Sequence, residues 1–349
     1  MSRDERATLL PPPPRDASKA HLENILQVRE LSLIEPDVFT NLRPQWQPPH
    51  ARGIYGGAVI ALCIASAQKT VPDDFLVHSC HCYFLLAGSA DQPLLFHVER
   101  VRDGRSFATR TVQAKQRGNC IFTTTVSFTR DRGDNGNDEV HHAAPLPEDA
   151  RQAPPDDLGE EPQWMSAAPI QSPPVQITGM DDASVSPDQR RCRQWVRARG
   201  TISPEGGHQA HINALAYMSD SYFIGMVTRI HRIWRYPFKP QDVKKMPEAQ
   251  RAQIEKLFYY DGIDDVEKWV GRPELGMVVS LDHSIYFHAP RRIQADDWML
   301  CDMESPWSAD GRALVTQRIF AKDGTLLVTC IQEGVMRLKK DGTEKASKV

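Results

Sequence analysis

LLFHVE (Leu94 to Glu99), DGRSF (Asp103 to Phe107) and GNCIFTTTVSF (Gly118 to Phe128) return later in the chain as MLCDME (Met299 to Glu304), DGRAL (Asp310 to Leu314) and GTLLVTCIQEG (Gly324 to Gly334). A Tyr-Phe pair precedes each series, at Tyr83-Phe84 and at Tyr286-Phe287. The pieces are β-prone, and the DG and RGN turns between them mark antiparallel hairpins. One architecture is therefore written twice. Polar residues that occur in only one copy mark where the two differ in chemistry.

The chain has 349 residues, a formal charge of -3 and 40% hydrophobic residues, which describes a soluble globular protein long enough for two packed units. It is not basic enough for a nucleic-acid partner. The longest apolar stretch, Gly56 to Ala67, is too short to span a bilayer, and Pro11 to Pro14 stand where a signal core would be. An intracellular protein is expected. Seven cysteines without a CxxC pair indicate free thiols in a reducing compartment. His78, Cys80, His81 and Cys82 invite a zinc reading, but alternate residues of a strand face opposite sides and no second ligand pair is suitably spaced. No metal and no cofactor are expected.

Residues 1–20 are polar and Pro-rich and read as disordered. Residues 21–130 form the first repeat. A strand and turn over Glu23 to Leu42 lead into GGAVIALCIASAQKT, a buried helix stopped by Pro72, and then into strands at Leu76 to Leu86, Leu94 to Val101, Ser106 to Lys115 and Cys120 to Thr129. Residues 131–189 are acidic and Pro-rich and read as a surface linker. Residues 190–338 form the second repeat: RCRQWVRARG, a helix from about Gln209 to Phe223, and strands at Met277 to His288, Trp298 to Glu304, Ala313 to Ala321 and Thr325 to Arg337. An insertion, 229–276, carries the amphipathic PEAQRAQIEKLFYY and reads as a surface cap, an oligomer contact or a lid; residues 339–349 are a tail. The order is one helix wrapped by a curved antiparallel sheet, twice. Two such units joined edge to edge remove exposed sheet edges.

YGGAV, VHSCHCYFL, RDGRSFATRTVQAKQ, LDHSIYFHAP and IQEGVMR resemble the acyl-CoA thioesterase II family of bacterial and peroxisomal enzymes, over about Glu23 to Arg337. The resemblance implies an α+β tandem (double) hot-dog fold and hydrolysis of fatty acyl-CoA to free acid and CoA. A homo-oligomer is expected.

Aligning the repeats by their shared motifs sets Ala67 opposite Asp220, Val77 opposite Ser280 and Val126 opposite Gln332. Each position is apolar or small in the first copy and hydrogen-bonding in the second. An unpaired buried polar group costs roughly 1 to 3 kcal/mol, so three in one copy point to function. Asp220, on the central helix, suits a general base if desolvation raises its pKa. Gln332 suits holding an attacking water, and Ser280 donating to that water or to the carboxylate. A backbone N–H at a helix start, with Gly57 a candidate, suits the oxyanion. The family resemblance implies the same roles for Asp220, Ser280 and Gln332; it usually has Thr at the middle position, so Ser280 departs from it. One active site per chain is expected.

Blander readings stand beside these. Asp220 suits a helix cap or an ion pair with arginine, Ser280 a plain strand residue, and Gln332 a solvent-facing one. A serine nucleophile is the rival mechanism, but no GxSxG elbow occurs, and adjacent Asp282 and His283 in a strand point apart. Arg191, Arg193, Arg197 and Arg199, and Arg102, Arg105 and Arg110, suit CoA phosphates but read more readily as a solvated strand face. An acyl-CoA-binding or regulatory protein without turnover is the alternative function. A dehydratase is disfavoured because Tyr55-Gly56-Gly57 stands where its His-Gly helix start would be. Ser347-Lys348-Val349 differs from the peroxisomal Ser-Lys-Leu only in its last residue, so peroxisome is expected ahead of cytoplasm.

Overall fold

The computed structural model describes residues 7–48, 51–131, 133, 140–150 and 152–339. Ser347-Lys348-Val349 lies outside them, as do residues 1–6 of the expected disordered start. The first repeat contributes β1 (Val28–Glu30), β2 (Val38–Asn41), the first central helix (Gly56–Gln68), β3 (Phe75–Phe84), β4 (Leu95–Asp103), β5 (Phe107–Gln116) and β6 (Asn119–Arg130). Short strands β7 (Ile170–Gln171) and β8 (Gln176–Thr178) follow. The second repeat contributes β9 (Arg191–Ala198), the second central helix (Gly207–Met218), β10 (Leu275–Ser280), β11 (Asp282–Phe287), β12 (Met299–Ala309), β13 (Arg312–Ala321) and β14 (Leu326–Leu338).

All of these strands join one antiparallel sheet in the order β1-β2-β4-β5-β6-β3-β11-β14-β13-β12-β9-β7, with β10 also beside β14 and β8 beside β9. The order reads alike from either end toward the β3–β11 seam. This is the tandem hot-dog, α+β, with the two sheets joined edge to edge. Alternation drives it: along β5, Ala108, Val112 and Ala114 are buried while Phe107 and Gln113 are exposed, the pattern of a strand with one face on a core. The first central helix has no exposed face past its first residue; Gly57 to Gln68 are all buried, Ser66 and Gln68 included, so it sits between its own sheet and the second helix.

Strand register bears out two of the three alignments between copies. Val126 pairs with Arg110, and Gln332 pairs with Val315 at the matching place on β13. Val77 pairs with Phe128, and Ser280 with Gly334, two residues beyond Val126 and Gln332 respectively. The third needs correction. The second helix ends at Met218, not near Phe223, so Asp220 lies just past it. Ser219 donates from Oγ to Ala216 O at 2.9 Å, a side-chain bond that competes with continuing the helix, and Tyr222 turns the chain with φ of 58°.

Other expectations also yield to packing. Residues 7–20, expected to be disordered, are held down: Asn41 donates from Nδ2 to Ala7 O and Arg43 from Nη2 to Pro14 O, both at 3.1 Å. Their prolines leave little backbone freedom to lose on ordering. The Pro-rich stretch is not merely laid over the surface, since β7 and β8 pair with β9, and Leu146, Ala150 and Leu158 pack against Trp298 and Phe320. Nor is the arginine face of β9 solvated. Arg193 is buried between Asp302 and Asp149, Arg199 reaches Glu161, and Arg197 lies over the Trp298 ring.

The insertion builds a small core of its own around Trp234, Phe258, Ile263 and Trp269. Asp261 braces the insertion from within, gathering Arg229, Arg235 and Tyr236 around its carboxylate. Burial pushes the Asp261 carboxyl up, but the two guanidinium groups outweigh it and hold it at about 2.

Candidate active site

The two central helices cross where Gly56-Gly57 meets the end of the second helix. A side chain at Gly56 would stand 2.7 Å from Asp220 Oδ2 and 2.8 Å from Phe84 Cε1, and one at Gly57 would run into Tyr217 O. Two glycines are thus required for Asp220 to sit against the first turn of the first helix. Tyr55 closes the contact, donating from its hydroxyl to Tyr217 O at 2.9 Å. The Gly57 backbone N–H faces the Asp220 carboxylate and favours its charged form, which competes with the oxyanion role expected of it.

The Asp220 side chain is only 9% exposed. Burial raises its carboxyl to about 6, against the Gln332 amide and the Gly57 N–H, which both favour the charged form. Gln332, fully enclosed, donates from Nε2 to Asp220 Oδ1 at 2.8 Å. Its Oε1 is buried without a partner among the described residues. Asp220 and Gln332 are therefore brought together. Ser280 stands on the wall of the same cavity, half-buried, and among the described residues nothing hydrogen-bonds its hydroxyl.

That cavity measures about 530 Å³. Val59, Phe84, Phe122 and Ile224 give it apolar walls, Asp220 and Ser280 supply its polar groups, and exposed Arg52 stands at its rim. No residue of the insertion lines it, which removes the lid reading for the structure as it stands.

Sequence reasoning missed His283. The neighbouring Asp282 does point away, its Oδ1 accepting from the Glu333 backbone N–H at 2.7 Å. His283 turns inward instead, fully buried, with Nδ1 3.0 Å from Gln332 Nε2 and Nε2 3.1 Å from Ser219 Oγ. Burial drives its pKa down to about 3, so the ring is neutral. Register carried the signal: Cys80 pairs with Val126 on one side of the molecule, and His283 lies beside Gln332 on the other. Ser219, His283 and Asp220 form a Ser-His-Asp series, with His283 Nδ1 4.0 Å from Asp220 Oδ1. Ser219 is fully buried, and its hydroxyl is spent on Ala216 O, so it offers no accessible nucleophile.

His78, Cys80, His81 and Cys82 divide as alternation requires. Cys80 and Cys82 face the core, while His81 faces outward and bonds Ser284 Oγ through Nδ1 at 3.0 Å. All seven cysteines are free, and among the described residues no three His, Cys, Asp or Glu side chains are grouped to hold a metal ion.

Models of the acyl-CoA thioesterase N-terminal and C-terminal domains match residues 43–129 and 147–336. Human acyl-coenzyme A thioesterase 8 is 32% identical over 95% of this chain and 93% of its own length. The chain belongs to the acyl-CoA thioesterase II family. It is a thioester hydrolase acting on acyl-CoA, and the binding-only alternative is not favoured. A yeast relative from Saccharomyces cerevisiae, named peroxisomal acyl-coenzyme A thioester hydrolase 1, is 22% identical over 91% of this chain and 95% of its own. The crystal structure of the acyl-CoA thioesterase II TesB2 from Mycobacterium marinum superposes with a TM-score of 0.61 at 28% identity, over 93% of this chain and 99% of that one.

Proposed function

We propose that this acyl-CoA thioesterase hydrolyses its substrate by direct attack of a water activated by Asp220. The observation that carries the proposal is a carboxylate at the polar end of an apolar cavity, with burial raising its pKa to about 6. A base poised near the working pH takes a proton most effectively. The acyl chain lies along Val59, Phe84 and Phe122, and the CoA portion leaves past Arg52. Asp220 takes one proton from the water as its oxygen bonds to the thioester carbon. The C–S bond then breaks, the thiolate leaves, and Asp220 returns the proton to it. Ser280, with its hydroxyl free, holds the water or the carbonyl oxygen. Gln332 orients the carboxylate through Nε2 rather than facing the cavity. The carbonyl oxygen rests against the helix start at Gly56, where the dipole favours negative charge. Residues 190–338 then supply the reacting groups, and residues 21–130 supply the glycine helix start and most of the apolar wall. Thiol release from acyl-CoA by the Asp220→Asn chain tests this: loss by two orders of magnitude or more is expected, and full turnover overturns it.

We also infer a peroxisomal rather than cytoplasmic location, supported by the name of the yeast relative; an N-terminally tagged chain that stays in the cytosol refutes it. A homo-oligomer is supported by Tyr83 and Tyr286, exposed on the outer face beside the seam. Light scattering at the monomer mass overturns that.

A further inference from the structure

We propose that His283 is a positioning residue: by accepting a hydrogen bond at Nδ1 it fixes the Gln332 side-chain amide with its NH2 group toward Asp220. This rests on the assignment of Asp220 as the base.

Hydrogen-bond directions leave one arrangement. The Ser219 hydroxyl has a single proton, which goes to Ala216 O. Toward His283 Nε2, 3.1 Å away, Ser219 Oγ must therefore accept, so Nε2 carries the ring proton. A neutral ring protonated at Nε2 has a bare Nδ1. The atom 3.0 Å from Nδ1 must then be the amide nitrogen of Gln332 rather than its oxygen. One amide proton goes to His283, and the other goes to Asp220 Oδ1 at 2.8 Å. Turned over, the amide would set Oε1 against both the carboxylate and bare Nδ1, three acceptors with no proton among them. The relay from Ala216 O through Ser219 and His283 thus decides which end of Gln332 meets the base.

The comparison between repeats agrees. Where the second copy has the buried pair His283 and Gln332, the first has Cys80 and Val126, neither of which offers an amide to be oriented. His283 never faces the cavity, so it touches neither substrate nor water.

The test is the pH dependence of kcat/KM in His283→Phe and His283→Asn. The other titratable groups around Asp220, namely Tyr55, Tyr217, Cys82 and Cys330, are kept protonated by burial, so the acid limb follows Asp220. Phe removes the acceptor: kcat is expected to fall ~10- to 100-fold, as for a misplaced catalytic group, with the acid limb moving up by about one pH unit as the carboxylate loses a donor. Asn restores an acceptor near Nδ1 and should recover the wild-type acid limb and most of the rate. If His283→Phe does not fold, as circular dichroism would show, Ser219→Ala frees the tautomer without emptying the site and should move the acid limb the same way. An unmoved limb in the folded variant of this pair, or Asn as impaired as Phe, overturns the proposal. Asp220→Asn separates the two readings. Turnover retained there refutes the base itself, whereas turnover lost there with His283→Phe unchanged refutes only the positioning.

Discussion

The two ends of the paired central helices present the same construction with opposite chemistry. At one end, Asp220 lies against Gly56 in a cavity of about 530 Å³; at the other, Glu23 lies against Gly206 in a cavity of about 510 Å³. A side chain added at Gly206 would stand 2.6 Å from Glu23 Oε1, much as one at Gly56 would stand 2.7 Å from Asp220 Oδ2. The partners differ. Glu23 accepts from Ala20 N at 2.9 Å, Ser203 N at 2.8 Å and Ser203 Oγ at 2.7 Å, a set of donors that pins it as a clamp between the chain start and the second helix. Asp220 has an amide and one backbone N–H, and its carboxyl is raised. A carboxylate at a helix start becomes a candidate base when its donors are too few to compensate its burial.

The largest effect is expected at Asp220. Asp220→Asn should cut kcat by ~10²- to 10⁴-fold, the range for losing a general base, as measured by thiol release. In the wild type, turnover should rise with pH through about 6 as Asp220 ionises. Stability should run the other way for this group: its folded pKa is raised, so its contribution is present below the unfolded value and lost as pH rises toward 6. Asp220→Asn should accordingly stabilise the fold by about 1–3 kcal/mol above pH 6 in urea titrations. A variant both inactive and less stable at pH 8 contradicts the raised pKa.

Next comes Gly57→Ala. The added methyl meets the Tyr217 carbonyl and the Tyr55 ring, and overpacking of this kind costs roughly 1–3 kcal/mol, seen as a lower denaturation midpoint together with reduced turnover. Ser280→Ala should be milder, about 10-fold in kcat, consistent with one hydrogen bond to the reacting atoms. An unchanged rate would make Ser280 a wall residue. Glu23→Gln completes the comparison, with stability down by about 1 kcal/mol through weaker acceptance from Ser203 and Ala20 and kcat unchanged. A fall in kcat would show that the two ends are coupled.

Much of this architecture was legible because duplication makes the sequence its own alignment. Period-two alternation and the DG turns located the strands, and the offset between copies put Ser280 and Gln332 in register to the residue. The end of the second helix was not legible, because Phe223 and Ile224 prolong an apolar pattern that Ser219 interrupts only through its own hydroxyl. The Pro-rich stretch hid its contribution because Leu146, Ala150 and Leu158 pack singly and follow no period. Arg193 looked solvated because its partners, Asp149 and Asp302, come from distant parts of the chain. His283 was weighed only against its neighbour Asp282, whereas its partner sits across the sheet on β14.

The β3–β11 seam has a consequence for how such a site can arise. In a pair of identical chains related by a two-fold axis, every substitution appears twice. A desolvated carboxylate at one helix end would then be matched by a second at the other, and the destabilisation would double. Here the pairing from Asp282 with Tyr83 to Tyr286 with Ser79 is made within one polypeptide. Each half mutates alone, so Asp220 stands without a duplicate in the first repeat, and the other helix end is left to Glu23, which comes from ahead of its own helix and keeps its three donors.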